Sequence, residues 1–446
     1  MTSNNKRRPR QLVIASTAII GLGLAGCSAG SSEEPSSDVF QLWYGFEPGQ
    51  SDAITDLIAE WDEANEDVTV EITAMGPELN PPSLLPALSS GEGPDMWAGA
   101  VGPGQPQAFI DGGLVVDLTP YYCEFDWGSQ ISDDLAAITT VDGQLFAVPY
   151  SIESTGMFYR KSIFEDLGIS IPTTWNEFIE VVNTLAENGY ETPIGAAGQD
   201  AWPVTQLLGA MWGTAAGPEG LDQTLFGDGA WTDPPFIEAS DAFVSLQDSG
   251  FFGPEPLAFS YQATMADFYN GVVPMTYTGG FVIPGAQEDA GENFDDIGVF
   301  ALPSVSGGPI YANESPGGGW YINANSDKAD IAADLLNFLF FNDESRTQML
   351  QGGLVPPGEV NLDEVELPSV LEELLAENNT YRENGVIPAF LEVVTPGALF
   401  EVQMDEVQGV LSGSVTGPQL SESYQAAWEA EKANGNTLAA GGSPEC

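Results

Sequence analysis

The groups in this chain that could do chemistry are carboxylates, aromatic rings and three thiols. Its 446 residues include 66 Asp and Glu, 23 Phe, 13 Tyr, 10 Trp and three Cys, and no His. Without histidine there is no His-based triad, the usual zinc ligand is missing, and so is the commonest general base. Two carboxylates can still cleave a glycosidic bond. Among 66 acids such pairs arise by chance, so a secreted glycoside hydrolase stays an alternative without a specific signal. Rings and carboxylates together suit a different task. Rings stack on the C–H faces of a sugar, and carboxylates and amides meet its rim of hydroxyls. No cofactor and no metal are expected.

The thiols divide by position. Lys6, Arg7, Arg8 and Arg10 precede an apolar stretch at residues 12–22, and Leu24-Ala25-Gly26-Cys27 follows at once. Charge, apolar run and small residues before a cysteine read as a secretory signal over residues 1–26. The last four residues resemble the bacterial lipobox, in which the thiol receives a lipid. Residues 27–37 are rich in Ser, Glu and Gly and read as a flexible tether. This places the chain on the extracytoplasmic face of the cell membrane, anchored through Cys27 only. Cys123 and the terminal Cys446 remain, an even pair in an oxidising compartment, and a disulfide between them is expected.

Charge excludes further partners. The signal holds four of the ten basic residues and no acid, which leaves six against 66, a net −60. Nucleic acid and anionic lipid need Lys/Arg patches and are poor partners. A cationic ligand such as a polyamine is one alternative. The acids are spread along the chain, which reads more simply as a solvated surface.

The elements that must position any site alternate. Residues 39–43 and 68–72 read as strands. Ile54, Leu57, Ile58 and Trp61 fall on one helical face. Thr174-x-x-Glu177 is a capping box before Phe178, Val181, Val182 and Leu185. Ile331, Leu335, Phe338 and Leu339 mark another helix. The spacing predicts an α/β protein with largely parallel sheets. The length suits two domains. Ligands of such sheets sit beyond the strands' carboxyl ends, which points to Tyr44 and Glu47 in one loop and to Gly99 and Ala100 in the next, with Asp95 before it, as candidate ligand contacts.

Four stretches then carry a resemblance. Residues 90–121 contain Gly91-Glu92-Gly93-Pro94-Asp95 and, later, Asp117-Leu118-Thr119-Pro120. Residues 142–178 run DGQLFAVPYSIESTGMFYRKSIFEDLGISIPTTWNEF. Residues 268–303 contain YNGVVPMTYTGGF and end in ALP. Residues 317–344 begin GGGWYINANSDK. In this order they resemble the extracellular solute-binding proteins of ABC importers, the sugar-binding family that includes maltose-binding protein.

The resemblance implies a two-lobe, periplasmic-binding-protein-like (type II) fold with a hinge and a ligand cleft between the lobes. Lobe one would comprise residues 38–150 plus 316–357. Lobe two would comprise 155–311 plus 360–430, and 431–446 would be a tail. The chain would act as a monomer, capture a mono- or oligosaccharide, and deliver it to the permease subunits without chemistry of its own. By the family pattern Glu153 falls at a hydroxyl-binding acid, and Trp202 and Phe400 at stacking aromatics. Phe281 stands where the family usually has Trp. Gly318, Gly319 and Trp320 lie at the return into lobe one.

Overall fold

The computed structural model describes residues 39–45, 50–75, 82–103, 105–358 and 365–437, with Pro444 and Cys446. The candidate residues Cys27 and Glu47 lie outside them.

The first sheet has five strands in the order Thr69–Ala74, Val39–Tyr44, Met96–Gly99, Gly319–Ile322, Val148–Pro149. In Val39–Tyr44, alternation buries Phe40, Leu42 and Tyr44 on one face. They meet Ile54, Leu57, Ile58 and Trp61 of the helix Gln50–Ala64, the face read from the sequence. Trp61 Nε1 donates to Asp334 Oδ2 at 3.1 Å, which ties that helix to Ala329–Phe341. The latter helix is rotated from expectation. Ala332, Ala333, Leu335, Leu336, Leu339 and Phe340 are buried, while Ile331 and Phe338 are half-buried. This helix is apolar nearly all round, so period alone did not fix its orientation. The small Ala332 and Ala333 let it approach its neighbour.

The second sheet has the order Ile297–Phe300, Thr155–Arg160, Met275–Gly279, Ile194–Gly195. Its helices include Trp175–Glu187, opened by the expected capping box. Glu177 N donates to Thr174 Oγ1 at 3.3 Å, and Thr174 N to Glu177 Oε2 at 3.1 Å. Phe178, Val181, Val182 and Leu185 are buried beneath it.

The sheets are mixed, which corrects the expectation of largely parallel ones. Gly319–Ile322 and Thr155–Arg160 run antiparallel to both neighbours. Each begins where the chain has just crossed between the sheets. It therefore enters its sheet from the cleft edge, whereas strands fed by a helix enter from the far edge.

The crossings pair with each other. Ile152–Glu153 lies antiparallel to Ser315–Pro316, and Ala312–Asn313 parallel to Val386–Ile387. Ile152 N donates to Val355 O at 2.8 Å, joining a third crossing. Two apolar cores lie one in each lobe, and a third joins Trp97, Val101 and Tyr321 of the first sheet's side to Phe281, Phe390 and Val393 of the second. The lobes thus touch across the cleft. The helix Gly417–Asn434 runs past the expected start of the tail at 431 and packs on lobe-two helices. Cys123, in the lobe-one helix Thr119–Glu124, is disulfide-bonded to Cys446 with Cα atoms 5.5 Å apart. Among the described residues no helix is long and apolar enough to cross a membrane.

Candidate functional site

The cleft edge of lobe one forms where strands end. Gly99 pairs with Gly319, and Gly319 with Pro149. Gly318 sits under the Tyr150 ring. A Cβ on it would collide with that ring and lie 2.9 Å from Gly99 O, so only glycine fits. The Tyr150 hydroxyl donates to Gly317 O at 2.8 Å. The loop leaving Gly99 is fixed from beneath, because the Tyr321 hydroxyl donates to Ala100 O at 2.7 Å. The structure therefore brings Gly99, Ala100, Gly318 and Gly319 together. The three glycines serve as backbone laid against a ring and a strand.

Lobe two contributes the rings. Met275–Gly279 runs out into Gly280 and Phe281, and Gly280 N donates to Ser154 O at 2.9 Å. Phe281 lies 6.0 Å from Trp202 and 6.2 Å from Phe390, centroid to centroid, and Trp202 lies 4.5 Å from Tyr261. Trp202 is half-buried and opens the helix Trp202–Phe226. Its approach is a γ-turn. Trp202 N donates to Asp200 O at 2.8 Å across Ala201, whose φ is 64° and ψ −41°. An L residue held there is strained, and such strain persists where the surroundings enforce it. Asp200 Oδ2 accepts from Tyr261 N at 2.6 Å, so the two ring-bearing helix starts are coupled.

Between lobes stands Glu153, 4% exposed in the hinge strand. Its Oε1 accepts from Ser151 Oγ at 2.8 Å, and a Cβ on Gly280 would lie 3.4 Å from its Oε2. A second carboxyl, Glu392, lies in the lobe-two turn Leu391–Val393. Burial pushes it up to about 7, against a smaller lowering by its own backbone N–H.

The structure places three candidates away from this group of rings. Tyr44 is buried and its hydroxyl bonds to Thr55 in the neighbouring helix, because strand alternation turns it toward the helices and away from the cleft. Trp320 is fully buried in the same layer, edge-on to Tyr44 at 5.6 Å. Asp95 precedes Met96–Gly99 and so lies at the far end of that strand, about 13 Å from its cleft end at ~3.3 Å per residue. It accepts from Gln41 N at 2.7 Å and Ser326 Oγ at 2.5 Å and pairs with Lys328 at 3.2 Å. Phe400 is half-buried in the first turn of Gly397–Leu411, and no ring contact joins it to the cluster among the described residues. Sequence reasoning missed Tyr150, Tyr261 and Phe390. Tyr150 follows Val148-Pro149 directly and was legible as a hinge ring, whereas Tyr261 and Phe390 carry no local signal.

Two α/β lobes, crossed between by paired strands and meeting over a group of aromatic rings, define the two-lobe solute-receptor class. The family follows from comparison: residues 47–345 match the model for bacterial extracellular solute-binding proteins, and the chain belongs to that family. It is 22% identical over 317 residues to a multiple sugar-binding protein of Streptococcus mutans, covering 65% of this chain and 69% of that one. It is 25% identical over 169 residues to an uncharacterized ABC transporter extracellular-binding protein of Pyrococcus horikoshii, 37% of this chain and 38% of that one. The fold is similar to that of a chitin oligosaccharide binding protein (TM-score 0.77, 21% identity, 89% and 99% covered). It is also similar to that of RafE in complex with raffinose (TM-score 0.69, 19% identity, 88% and 99% covered).

Proposed function

We propose that this chain captures a mono- or oligosaccharide outside the cell and delivers it to the permease of an ABC importer, doing no chemistry itself. One observation carries the reading: Trp202, Phe281, Phe390 and Tyr261 form one group of rings where the lobes meet, beside the crossing strand that carries the buried Glu153 carboxyl. Rings supply the stacking faces and the carboxylate accepts from hydroxyls. The relative named for multiple sugars and the fold shared with chitin-oligosaccharide and raffinose receptors support the same ligand class.

The moving bodies are assigned as residues 38–150 plus 316–357 and 155–311 plus 360–430, with the crossings near 150–154 and 310–315 as hinge. The chain acts as a monomer held at the membrane by a lipid on Cys27.

A thermal-shift screen with galactose, raffinose, xylotriose, chitobiose and maltotriose tests the ligand class, since ligand bound only to the native state raises its midpoint. At least one sugar should raise the midpoint, without turnover of a chromogenic glycoside. A shift by putrescine and by no sugar would overturn the reading. Mass spectrometry of the mature N-terminus tests the anchor, and an unmodified Cys27 would sink it.

A further inference from the structure

One of the contacts between the lobes is made backbone against backbone, at Gly102. Gly102 is buried in the loop that leaves Gly99, with φ +112°. A Cβ on Gly102 would lie 2.8 Å from Val393 O and 2.9 Å from Glu392 O. These are backbone atoms of the other lobe, so no side chain can swing away to make room. Both partners are held from behind. Ala100 is tied to Tyr321, and Val101 packs so closely over Gly319 that a Cβ there would lie 2.8 Å from Val101 Cγ1. On the far side Leu391 is 3% exposed in the lobe-two core, and its carbonyl accepts from Thr395 Oγ1 at 2.8 Å and Val394 N at 3.0 Å. A second lobe–lobe approach, at Gly397, differs in kind. Its neighbour is the Gln105 side-chain amide, 2.7 Å from a built Cβ, which can rotate aside.

We infer that Gly102 is the closure latch: its missing side chain lets the loop seat on the Glu392 and Val393 carbonyls, and that seating sets how far the cleft closes. The inference rests on the receptor reading above. Gly102 is a positioning residue, because its contact is made to the other lobe and exists only when the lobes meet.

Two effects of Gly102→Ala separate. The cost of a positive φ in a non-glycine residue is present whether the cleft is open or closed. It therefore lowers the melting midpoint and cancels in the closure equilibrium. The clash arises only on closure. Gly113→Ala is the control, since Gly113 has φ +63° in the same lobe with nothing within 4 Å of a built Cβ.

The experiment uses the full mature chain and whichever panel sugar raises its midpoint. Both variants should melt a few degrees lower without sugar. Only Gly102→Ala should bind that sugar at least tenfold more weakly, and its radius of gyration by X-ray scattering should stay at the open value when sugar is added. Gly102→Ala binding within twofold of wild type and compacting normally would overturn the latch. If Gly102→Ala does not fold, hydrogen exchange on the wild type decides. Residues 100–102 and 391–394 should gain protection together on adding sugar, and unchanged protection overturns the inference. If no sugar binds the wild type, the sugar reading fails on its own and putrescine replaces the sugar as probe. A wild type in which neither probe protects those segments overturns the latch as well.

Discussion

Asn378 clasps the main chain of Asn313 across the hinge: its Oδ1 accepts from Asn313 N at 3.1 Å and its Nδ2 donates to Asn313 O at 3.3 Å. The same Nδ2 donates to Ser154 Oγ at 2.5 Å, and Asn313 Oδ1 accepts from Thr155 N at 2.8 Å. Two crossing segments are thereby fixed to one helix of lobe two, all of them buried.

Asn378→Ala removes a buried amide and orphans the donors and acceptors it served. Each buried group left unsatisfied costs about 1–3 kcal/mol. Chemical denaturation should show a loss of about 2–4 kcal/mol, and an unchanged midpoint concentration would refute the clasp.

Trp202 and Trp320 should fail differently. Trp202→Ala removes a partly exposed stacking ring where the lobes meet and should weaken sugar binding by about 2 kcal/mol, roughly thirtyfold. Trp320→Phe shrinks a fully buried side chain and should lower the melting midpoint while leaving affinity within a few-fold. Calorimetric titration beside a melting curve reads both.

Glu392 gives a pH dependence with a definite sign. Its folded value is raised to about 7 from the ordinary 4.5, so the folded state favours the protonated form. That stability is full below about 4.5 and is lost as pH rises through about 7, by up to about 3 kcal/mol. Glu392→Gln should flatten this part of the stability–pH curve between 4.5 and 7. A parallel curve for the variant would count against it.

The bridge between Cys123 and Cys446 spans 323 residues of sequence. It joins a lobe-one helix to the tail leaving a lobe-two helix, so it links the lobes independently of the hinge. Closing so long a loop is worth up to about 5 kcal/mol through the unfolded state. Cys446→Ser, or reduction by dithiothreitol, should lower the melting midpoint clearly. No change on reduction would show that the bridge contributes nothing to stability.

Salt should stabilise this protein. The six basic residues that follow residue 26 are already engaged. Arg160, Lys161, Lys328 and Arg382 sit in ion pairs, and Arg346 and Lys432 donate to backbone carbonyls. The surplus of about 60 negative charges repels itself, and salt screens it. Melting should rise by about 5 °C or more between ~10 mM and 1 M NaCl. A fall would mean that the ion pairs outweigh the repulsion.

Several elements were legible in the sequence because their causes are local. The helix face Ile54, Leu57, Ile58 and Trp61 follows from 3.6-residue spacing, and Thr174 with Glu177 from capping chemistry. Where strand neighbours decide, the sequence was blind. Period 2 predicts that Tyr44 and Phe40 share a face, and only packing reveals that this face meets helices. Trp320 and Tyr321 are adjacent rings on opposite faces of one strand, and nothing in their types says which layer receives which.

By itself, then, the sequence determined the family resemblance, the alternation of strand and helix and the acidic balance. Tertiary structure decided which rings face the cleft, that Asp95 binds Lys328 at the sheet's far end, and that Gly102 meets the Glu392 and Val393 carbonyls 290 residues away in sequence. The reason is physical. Spacing and composition act within a few residues, whereas a cleft is a contact between surfaces whose orientation is fixed only when the hinge strands cross.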